Sequence, residues 1–410
     1  MFRTRCLSCD SPFLHEIVNL GMHPMADTFI PKTRLDSGDR LYPLICDLCE
    51  RCGQVQLRTV TDPVERYAEY DYSYTSSNSR TSRNHWTVYA TAVAGMIGLK
   101  DGDAVVEIGS NDGFLAEQFQ KLGCVVLGVD PSSAMAQLAA ERGVKTLTGL
   151  FGPNVVSAVE RTLGRKPKLI VANNVFNHAN DPREFAQGIK ALLAPEGTFV
   201  FELPYWLQSV VQRKFDQIYH EHVSYLTSRH AVTLFESIGM RVNHVEEVDY
   251  HGGSIRVFVG HKTQTLPTAK AAPSVAEFIE REIRAGLFDH ATYDALMKSV
   301  RRTRDRFLQK IYRLRSEDQP IVCVGAAAKG NTFLNYYNLD ASVIDYVTDS
   351  SPSKIGKYTP RTRIPIAADQ VLHGYRSVYV IILSWNISAA LQTALKAINP
   401  HIVFLNPYEQ

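Results

Sequence analysis

The 410-residue sequence lacks a strong net charge and long apolar runs. Its 44 basic residues nearly balance its 42 acidic ones, which leaves a net charge of +2. This balance argues against a protein that binds nucleic acid or an anionic membrane surface. No apolar run reaches the ~18 residues that a membrane span needs. The first ten residues, MFRTRCLSCD, have no apolar core of a signal peptide. We therefore expect a cytoplasmic protein with no nucleic-acid or membrane partner.

The sequence also lacks the long heptad repeat of a coiled-coil oligomer. It leaves the oligomeric state open, and a monomer is one state that is compatible with it. The length is sufficient for two or three domains. Cysteine is scarce outside the N-terminal region. Five of the seven cysteines lie in the first 52 residues, and the other two, Cys124 and Cys323, stand in apolar runs. Such clustering favours metal ligation in a reducing compartment over a disulfide framework.

Two cysteine pairs near the N-terminus have the spacing of zinc knuckles. CLSC ends at Cys9 and CERC spans 49–52, so four thiolates could bind Zn²⁺ as a closed structural site. CDLC at 46–49 offers Cys46 as a rival ligand. Gly53 allows the tight turn of a knuckle after CERC, which favours Cys49 and Cys52 as the second pair of ligands. Free cysteines without a metal are the alternative. The predicted ligands are Cys6, Cys9, Cys49 and Cys52.

The central region alternates short apolar runs with helical patterns, which predicts a doubly wound parallel sheet. The runs 241–248 and 254–260 read as two further strands. Ligands of such sheets bind at the carboxyl ends of the strands. The four central strands are AVVEIGS (104–110), CVVLGVD (124–130), KLIVANN (168–174) and TFVFELP (198–204).

The loop after the first of these strands, EIGSNDG at 107–113, has the form that accommodates S-adenosylmethionine (SAM). Asp130 ends the second strand about twenty residues further on, where a carboxylate can accept hydrogen bonds from ribose. NAD would also suit Asp130, but the loop lacks the second glycine of GxGxxG. A glycine-rich turn without a ligand is the remaining alternative. The predicted SAM-binding residues are Glu107, Gly109, Ser110, Asn111, Gly113, Asp130 and Asn173, with Asn174 in the same cleft.

The segment FDQIYHEHVSYLTSRH (215–230) concentrates three histidines, two tyrosines and two acidic residues after the strand TFVFELP. Three interpretations remain open from the residues alone. Asp216, His220 and His222 could bind a metal, although no HExxH motif is present. The segment could be a polar surface loop. It could also supply a histidine general base with a pKa near neutral, supported by a neighbouring tyrosine or carboxylate.

Besides the paired cysteines, eight motifs follow one another along the chain: LGMHPMADTF (20–29), YPLICDLCERCGQVQL (42–57), YSYTSSNS (72–79), EIGSNDGFL (107–115), NNVFNHANDP (173–182), FDQIYHEHVSYL (215–226), HGGSIRVF (251–258) and GAAAKGNTFLNYY (325–337). In these motifs and in their order, the chain resembles the sugar C-methyltransferases, SAM-dependent enzymes that methylate C3 of dTDP-linked 4-keto-deoxysugars. The resemblance runs essentially end to end.

The resemblance implies SAM and structural zinc as cofactors and a nucleotide-linked keto sugar as substrate. It also implies that His222 is the base that removes a proton from C3, so that the enolate carbon accepts the methyl group. Tyr219, Glu221 and His178 would assist, together with either Tyr72 or Tyr74. The residues leave other roles open: His178 could cap the turn at 180–182, and the two tyrosines could pack between domains. The family pattern omits Cys46.

The predicted architecture has three parts: a zinc-binding domain (1–70), a class I, Rossmann-like SAM methyltransferase domain (71–262) and a helical plus Rossmann-like α/β domain (263–410). In the last part, Lys329 and Asn331 follow a Gly-Ala-rich turn, where the resemblance implies a contact with the sugar's diphosphate. A degenerate unit retained for packing is the rival interpretation. Other functions still open are an O- or N-methyltransferase, an NAD-dependent dehydrogenase or epimerase, and a zinc-containing RNA-binding protein.

Overall fold

The computed structural model describes residues 2–63, 66, 75–263 and 274–408. These residues build three β-sheets connected by helices. One hydrophobic core runs through all three parts, since residues as distant as Leu44, Val106 and Ile321 belong to a single buried cluster. No helix in the described ranges combines the length and apolarity that crossing a bilayer requires.

The N-terminal sheet is antiparallel and has the strand order β1-β2-β3-β9. Its fourth strand comes from the histidine-rich segment, because Val55 pairs with Tyr225 and Gln56 with Ser224. The N-terminal sheet therefore holds one end of that segment. Its strands are β1 (Leu14–His23), β2 (Tyr42–Cys49), β3 (Val55–Leu57) and β9 (Ser224–Tyr225).

The central sheet has seven strands in the order β6-β5-β4-β7-β8-β11-β10. β4 to β8 are parallel, and β11 runs antiparallel between β8 and β10. All five residues of β4 are buried, as expected for a strand covered by helices on both faces. The remaining strands are β4 (Ala104–Ile108), β5 (Val125–Asp130), β6 (Thr146–Thr148), β7 (Leu169–Val171), β8 (Thr198–Pro204), β10 (Met240–Val248) and β11 (Ser254–His261).

Among the residues that the structure describes, seven helices accompany this sheet, and local sequence sets their ends. Ser79 caps the first one by accepting a hydrogen bond from the Ser82 amide, and Gly98 ends it with a φ of 65°. Asp181 caps α5 in the same way, with Pro182 in the first turn. The helices are α1 (Arg80–Ile97), α2 (Phe114–Lys121), α3 (Ser133–Glu141), α4 (Pro153–Leu163), α5 (Pro182–Leu192), α6 (Trp206–Val211) and α7 (Ser228–Ser237).

The C-terminal part begins with two helices, α8 (Val275–Arg284) and α9 (His290–Ser316), and continues as a five-stranded parallel sheet. Its strand order is β14-β13-β12-β15-β16, so the chain changes direction between β12 and β15. The strands are β12 (Ile321–Val324), β13 (Tyr346–Thr348), β14 (Ile366–Ala367), β15 (Val378–Ile382) and β16 (Ile402–Leu405), with α10 (Ala328–Tyr337) and α11 (Ser388–Ile398). The predicted α/β class with two Rossmann-like sheets is confirmed.

Candidate active site

The loop after β4 lies at the point where the order of the central sheet reverses, between β4 and β7. Gly109 has a φ of 68°, and a Cβ built there would lie 2.2 Å from Cγ2 of Val175. No larger residue fits this position. Gly113 has a φ of 75° and packs against Ala139, so it starts α2 close to α3. These two glycines shape the floor of a cleft.

A cavity of about 310 Å³ opens beside this loop. Asp130 lies on its wall, and each carboxylate oxygen accepts one backbone hydrogen bond. Oδ2 accepts from the Asn111 amide at 2.8 Å and Oδ1 from the Ser132 amide at 2.9 Å. A carboxylate offers about four lone-pair positions, so both oxygens can still accept from a ribose diol. The donor set and the glycine floor fit SAM.

The structure separates the predicted SAM-binding residues into those that line a cavity and those that do not. Gly109, Asn111 and Asp130 line the first cavity, and Asn173 lines a second one. Glu107, Ser110 and Gly113 belong to the same loop but line neither cavity. Burial is the main cause that raises the pKa of Glu107 well above its ordinary value, and the Ala116 amide bonds its carboxyl. These three residues support the loop on the side that faces the protein interior.

The second cavity, of about 240 Å³, shares Gly109, Asn111, Asn174, Val175 and His178 with the first. All three parts of the molecule contribute to its wall. The sequence predicted Tyr219, Glu221, His222 and Lys329 here, and the structure brings these four together. The lining residues that the sequence argument did not assign to the site include Asp27, His251 and Lys354. Asp27 lies in the motif LGMHPMADTF and His251 in HGGSIRVF, whereas Lys354 lies outside the quoted motifs.

His222 has a defined tautomer. Its Nδ1 lies 2.9 Å from the carbonyl oxygen of Gln217, which can only accept, so Nδ1 carries the proton. Nε2 is then unprotonated and accepts a hydrogen bond from the Tyr219 hydroxyl at 2.7 Å. Burial lowers the pKa of His222 to about 3. The expectation of a near-neutral pKa is therefore wrong for the ligand-free protein, because the described residues place no carboxylate against the ring.

His178 stands beside this pair, with its ring centroid 5.3 Å from that of His222. It lies in a short 3-10 turn, Phe176–His178, and its wall position is common to both cavities. Burial lowers its pKa well below the ordinary value. Asp181, not His178, caps the helix that follows.

Glu221 points into the second cavity. Its Oε1 accepts a hydrogen bond from the Asp27 amide at 3.3 Å, whereas Oε2 is buried and has no hydrogen-bond partner among the described residues. Burial, followed by the charge of Asp27, raises the pKa of Glu221 to about 7. Burial thus favours the protonated form of the Glu221 carboxyl.

The alternatives for the histidine-rich segment are excluded by its placement. The segment is buried, so it is no solvated loop: Asp216 and His220 are each 0% exposed. The two side chains also point away from His222. Asp216 accepts from Trp385, and Nε2 of His220 lies 3.4 Å from the Pro43 carbonyl oxygen. The proposed metal triad does not converge within the part of the chain that the structure describes.

The predicted tyrosines, Tyr72 and Tyr74, lie outside the described residues. The next residues of that segment bridge to the SAM loop. The Ser76 amide donates to Oδ1 of Asn111 at 2.8 Å, and the hydroxyls of Ser76 and Ser77 donate to Asp112. Ser76 also lines the second cavity. Ser76 and Ser77, which belong to the motif YSYTSSNS (72–79), therefore lie beside the cleft.

The four predicted zinc ligands converge. Sγ of Cys6 lies 3.4 Å from that of Cys52, Sγ of Cys9 lies 3.6 Å from that of Cys49, and all four lie within 4.8 Å of one another. Tetrahedral Zn²⁺ with bonds of ~2.3 Å holds its sulfurs ~3.8 Å apart. Cys46 instead faces the core near Tyr225. The four thiols fit Zn²⁺.

The C-terminal predictions separate in the same way. Lys329 lines the second cavity, donates to Oδ1 of Asn386 at 2.9 Å, and has a pKa that burial lowers to about 8. Asn331 does not line it: its side-chain amide donates to the carbonyl oxygen of Ala26. The structure thus places Lys329 at the cavity and Asn331 between the N- and C-terminal parts.

Fold and site together define the chain as a SAM-dependent methyltransferase. Three family models match consecutive parts: "Putative zinc binding domain" over residues 6–67, "Methyltransferase domain" over 83–245 and "C-methyltransferase C-terminal domain" over 249–402. The chain is 33% identical over 381 residues to the C-methyltransferase NovU of Streptomyces niveus, covering 93% of this chain and 89% of that protein. The chain belongs to the C-methyltransferase family, so the resemblance is confirmed at this level.

Other similarities are confined to part of the chain. The ubiquinone biosynthesis O-methyltransferase of Pasteurella multocida is 27% identical over 110 residues, which cover 24% of this chain and 46% of that protein. Among solved structures, a SAM-dependent methyltransferase of Aquifex aeolicus matches 42% of this chain and 88% of its own chain, with 20% identity and a TM-score of 0.31. The family assignment rests on the matches that together span most of the chain.

Proposed function

We propose that this C-methyltransferase transfers a methyl group to C3 of a nucleotide-linked 4-keto-deoxysugar, with dTDP as the nucleotide, through an enolate. One observation carries the proposal: a neutral histidine, oriented by two hydrogen bonds, lines a cavity that adjoins the SAM cleft. Carbon methylation requires a base because an unactivated sugar carbon is no nucleophile, whereas a C4 ketone acidifies the proton on C3.

The proposed proton acceptor is Nε2 of His222. The C3–H bond breaks, its electron pair forms the enolate, and the proton arrives at Nε2 either directly or through the Tyr219 hydroxyl, which donates to the same nitrogen. The Gln217 carbonyl keeps Nδ1 protonated throughout and so preserves the acceptor. When bound, SAM supplies the methyl group that the enolate carbon takes.

The protonated carboxyl of Glu221 is the proposed donor to the enolate oxygen. Its unpartnered Oε2 in the cavity and its pKa of about 7 support this role, because a neutral carboxyl can donate where a carboxylate cannot. The structure gives Glu221 no contact with the His222 ring among the described residues, so the sequence-based idea that it orients the imidazole has no support there. His178, whose ring lies beside His222, is proposed to assist at a sugar hydroxyl.

The proposed diphosphate site is at the opposite wall of the cavity. Lys329 and Lys354 both line that wall, and each side chain already donates to a neighbouring oxygen, on Asn386 and Ala326 respectively. A diphosphate would present several acceptors to two ammonium groups in a largely buried setting, where charge-assisted hydrogen bonds are strongest. The four thiolates further fit a reducing compartment, and the cytoplasm is the proposed location.

The decisive experiment is mass spectrometry after incubation with SAM and a dTDP-4-keto-6-deoxy sugar in D₂O. We expect one added methyl group, and deuterium at C3 when SAM is omitted. His222→Gln should keep SAM binding and lose turnover by ~10²–10⁴-fold, the usual contribution of a general base. His220→Gln is the matched control: the same substitution two residues away should leave turnover within a few-fold.

Either of two results would contradict the proposal. Methylation at oxygen or nitrogen would leave the SAM site intact but exclude an enolate. Neither methylation nor deuterium incorporation across keto sugars with different C3 substituents and nucleotides would exclude this substrate class.

A further inference from the structure

Asp216 is a buried carboxylate that the proposed chemistry does not use. It lies in the 3-10 turn Phe215–Gln217 and is 0% exposed. Its Oδ2 accepts two hydrogen bonds, from Nε1–H of Trp385 at 2.6 Å and from the Tyr408 hydroxyl at 2.7 Å. Oδ1 has no hydrogen-bond partner among the described residues. Burying a carboxylate is costly unless it is bonded, so its presence in this segment requires an explanation.

The turn that contains Asp216 also orients His222, the proposed base. Gln217, the next residue, supplies the carbonyl oxygen that fixes the His222 tautomer. The Gln217 side chain is bonded on both ends within the central domain: its Oε1 accepts from the Ser209 hydroxyl at 2.6 Å, and its Nε2 donates to the His251 carbonyl at 3.2 Å. A shift of this turn therefore moves the acceptor that sets which nitrogen of His222 is free.

The two donors to Asp216 both belong to the C-terminal part. Trp385 follows β15, and its indole packs on Gly252, where a built Cβ would lie 2.4 Å from the ring. The ammonium groups of Lys214 and Lys329 lie 3.8 and 4.6 Å from the indole centroid. Lys329 in turn lines the proposed substrate cavity. Trp385 thus connects a cavity wall to the turn that orients His222.

Neighbouring residues of the same segment dock on α10 of the C-terminal sheet unit. The Phe215 ring packs against Tyr336 and Tyr337, with centroids 5.1 and 6.1 Å apart. The Ile218 carbonyl accepts from the Thr332 hydroxyl at 3.0 Å. The Asp216 hydrogen bonds place a carboxylate between the two units, and the Lys214 ammonium lies over the rings of both donors. Removing the Tyr408 hydroxyl alone therefore weakens the docking while the ring stays in place.

We infer that Asp216 is a positioning residue: docked on Trp385 and Tyr408, it holds the Phe215–Gln217 turn where the Gln217 carbonyl selects the Nδ1–H tautomer of His222. The C-terminal part thereby determines whether Nε2 of His222 is free to accept a proton, in addition to any contact that it makes with substrate. The catalytic consequence rests on the proposed role of His222 as the base, whereas the tautomer itself does not depend on any substrate.

The first test is ¹⁵N NMR of the imidazoles in the ligand-free full-length protein, with the His222 signals assigned by their loss in His222→Gln. Wild type should show Nδ1 protonated. Tyr408→Phe removes one donor to Asp216 and keeps the ring, and Trp385→Phe removes the other. Both should convert His222 to a mixture of tautomers. Tyr379→Phe, at the far end of β15 from Trp385, is the matched control and should leave the signals unchanged.

The second test separates positioning from general destabilisation. In Tyr408→Phe we expect kcat to fall on the order of 10–10²-fold, the scale of a misplaced catalytic group. The KM for SAM and the thermal unfolding midpoint should stay close to wild type. An unchanged His222 tautomer in both variants would overturn the inference, as would a changed tautomer with unchanged kcat. If wild type methylates no keto sugar, the proposed substrate is wrong, but the NMR result still decides the role of Asp216.

Discussion

At the residue scale, burial separates two acid–base groups that stand side by side in the sequence. It lowers the pKa of His222 to about 3 and raises that of Glu221 to about 7. The physical cause is the same, since low polarity penalises the charged form of either group. His222 is consequently neutral at physiological pH, while its neighbour titrates near neutrality. Changes of activity near pH 7 should therefore come from Glu221.

We expect kcat/KM to fall as the pH rises through 7, because the Glu221 carboxyl loses the proton that it donates to the enolate oxygen. Glu221→Gln keeps a neutral donor and should remove this fall while lowering activity by about tenfold or less, within the range of one hydrogen bond. Loss of the Lys329 charge, with a pKa of about 8, should leave a second fall at higher pH. A rise of kcat/KM through pH 7 would contradict the donor role. Rate profiles of both proteins from pH 5.5 to 9 are the measurement.

Gly109→Ala should abolish SAM binding without unfolding the protein. The new Cβ would lie 2.2 Å from Val175, and the φ of 68° is a conformation that side chains disfavour. The loop must therefore move into the cleft. Isothermal titration with SAM tests this expectation. Gly143→Ala is the control, since it has a similar φ of 76° but open space around its Cβ. Equal SAM affinity of wild type and Gly109→Ala would show that the loop tolerates the shift.

At the element scale, the two cysteine knuckles hold the N-terminal sheet together. Cys49 ends β2 and Cys52 lies in the turn before β3, so metal ligation fixes the hairpin that pairs with β9. β9 follows His222 by two residues. A structural ion therefore stabilises one end of the histidine-rich segment from the N-terminal sheet.

Cys49→Ala should remove zinc and weaken the N-terminal sheet, whereas Cys46→Ala should keep one zinc per chain. Cys46 lies in the apolar core and its thiol is outside the four-sulfur cluster. Its truncation should cost about 1 kcal/mol, mostly through the small cavity that it leaves. Metal analysis of the purified proteins, together with thermal unfolding, provides the comparison. Loss of zinc from Cys46→Ala would mean that this thiol is a ligand.

At the scale of the whole molecule, three parts meet at one cavity, and two residues on α10 serve different purposes there. Lys329 faces the cavity, and Asn331 bonds the N-terminal Ala26 carbonyl across 305 positions of sequence. Lys329→Met should raise KM for the nucleotide sugar with little change in stability. Asn331→Ala should instead lower the unfolding free energy by ~1–3 kcal/mol, the cost of an unsatisfied buried acceptor. Steady-state kinetics and denaturant unfolding of both variants test this division, and reversed effects would exclude it.

The sequence by itself determined the features that depend on neighbours within a few positions. Cysteine spacing set the zinc ligands, glycine spacing and a following strand set the SAM loop, and apolar runs set the buried parallel strands. A local signal also favoured Cys49 and Cys52 over Cys46, namely Gly53 directly after CERC. The four thiols converge and β4 is buried, as predicted, because turn geometry and strand burial are local properties of the chain.

Only the tertiary structure decided how those pieces act on one another. Asp27 reaches Glu221 across 194 positions, and Trp385 reaches Asp216 across 169. No local pattern specifies such pairs, because they arise from how three sheets pack on a shared core. The same packing removes water from His222 and places its pKa far below the value that its residue type suggested. Burial and long-range hydrogen bonds, rather than residue type, determine the protonation state of this site.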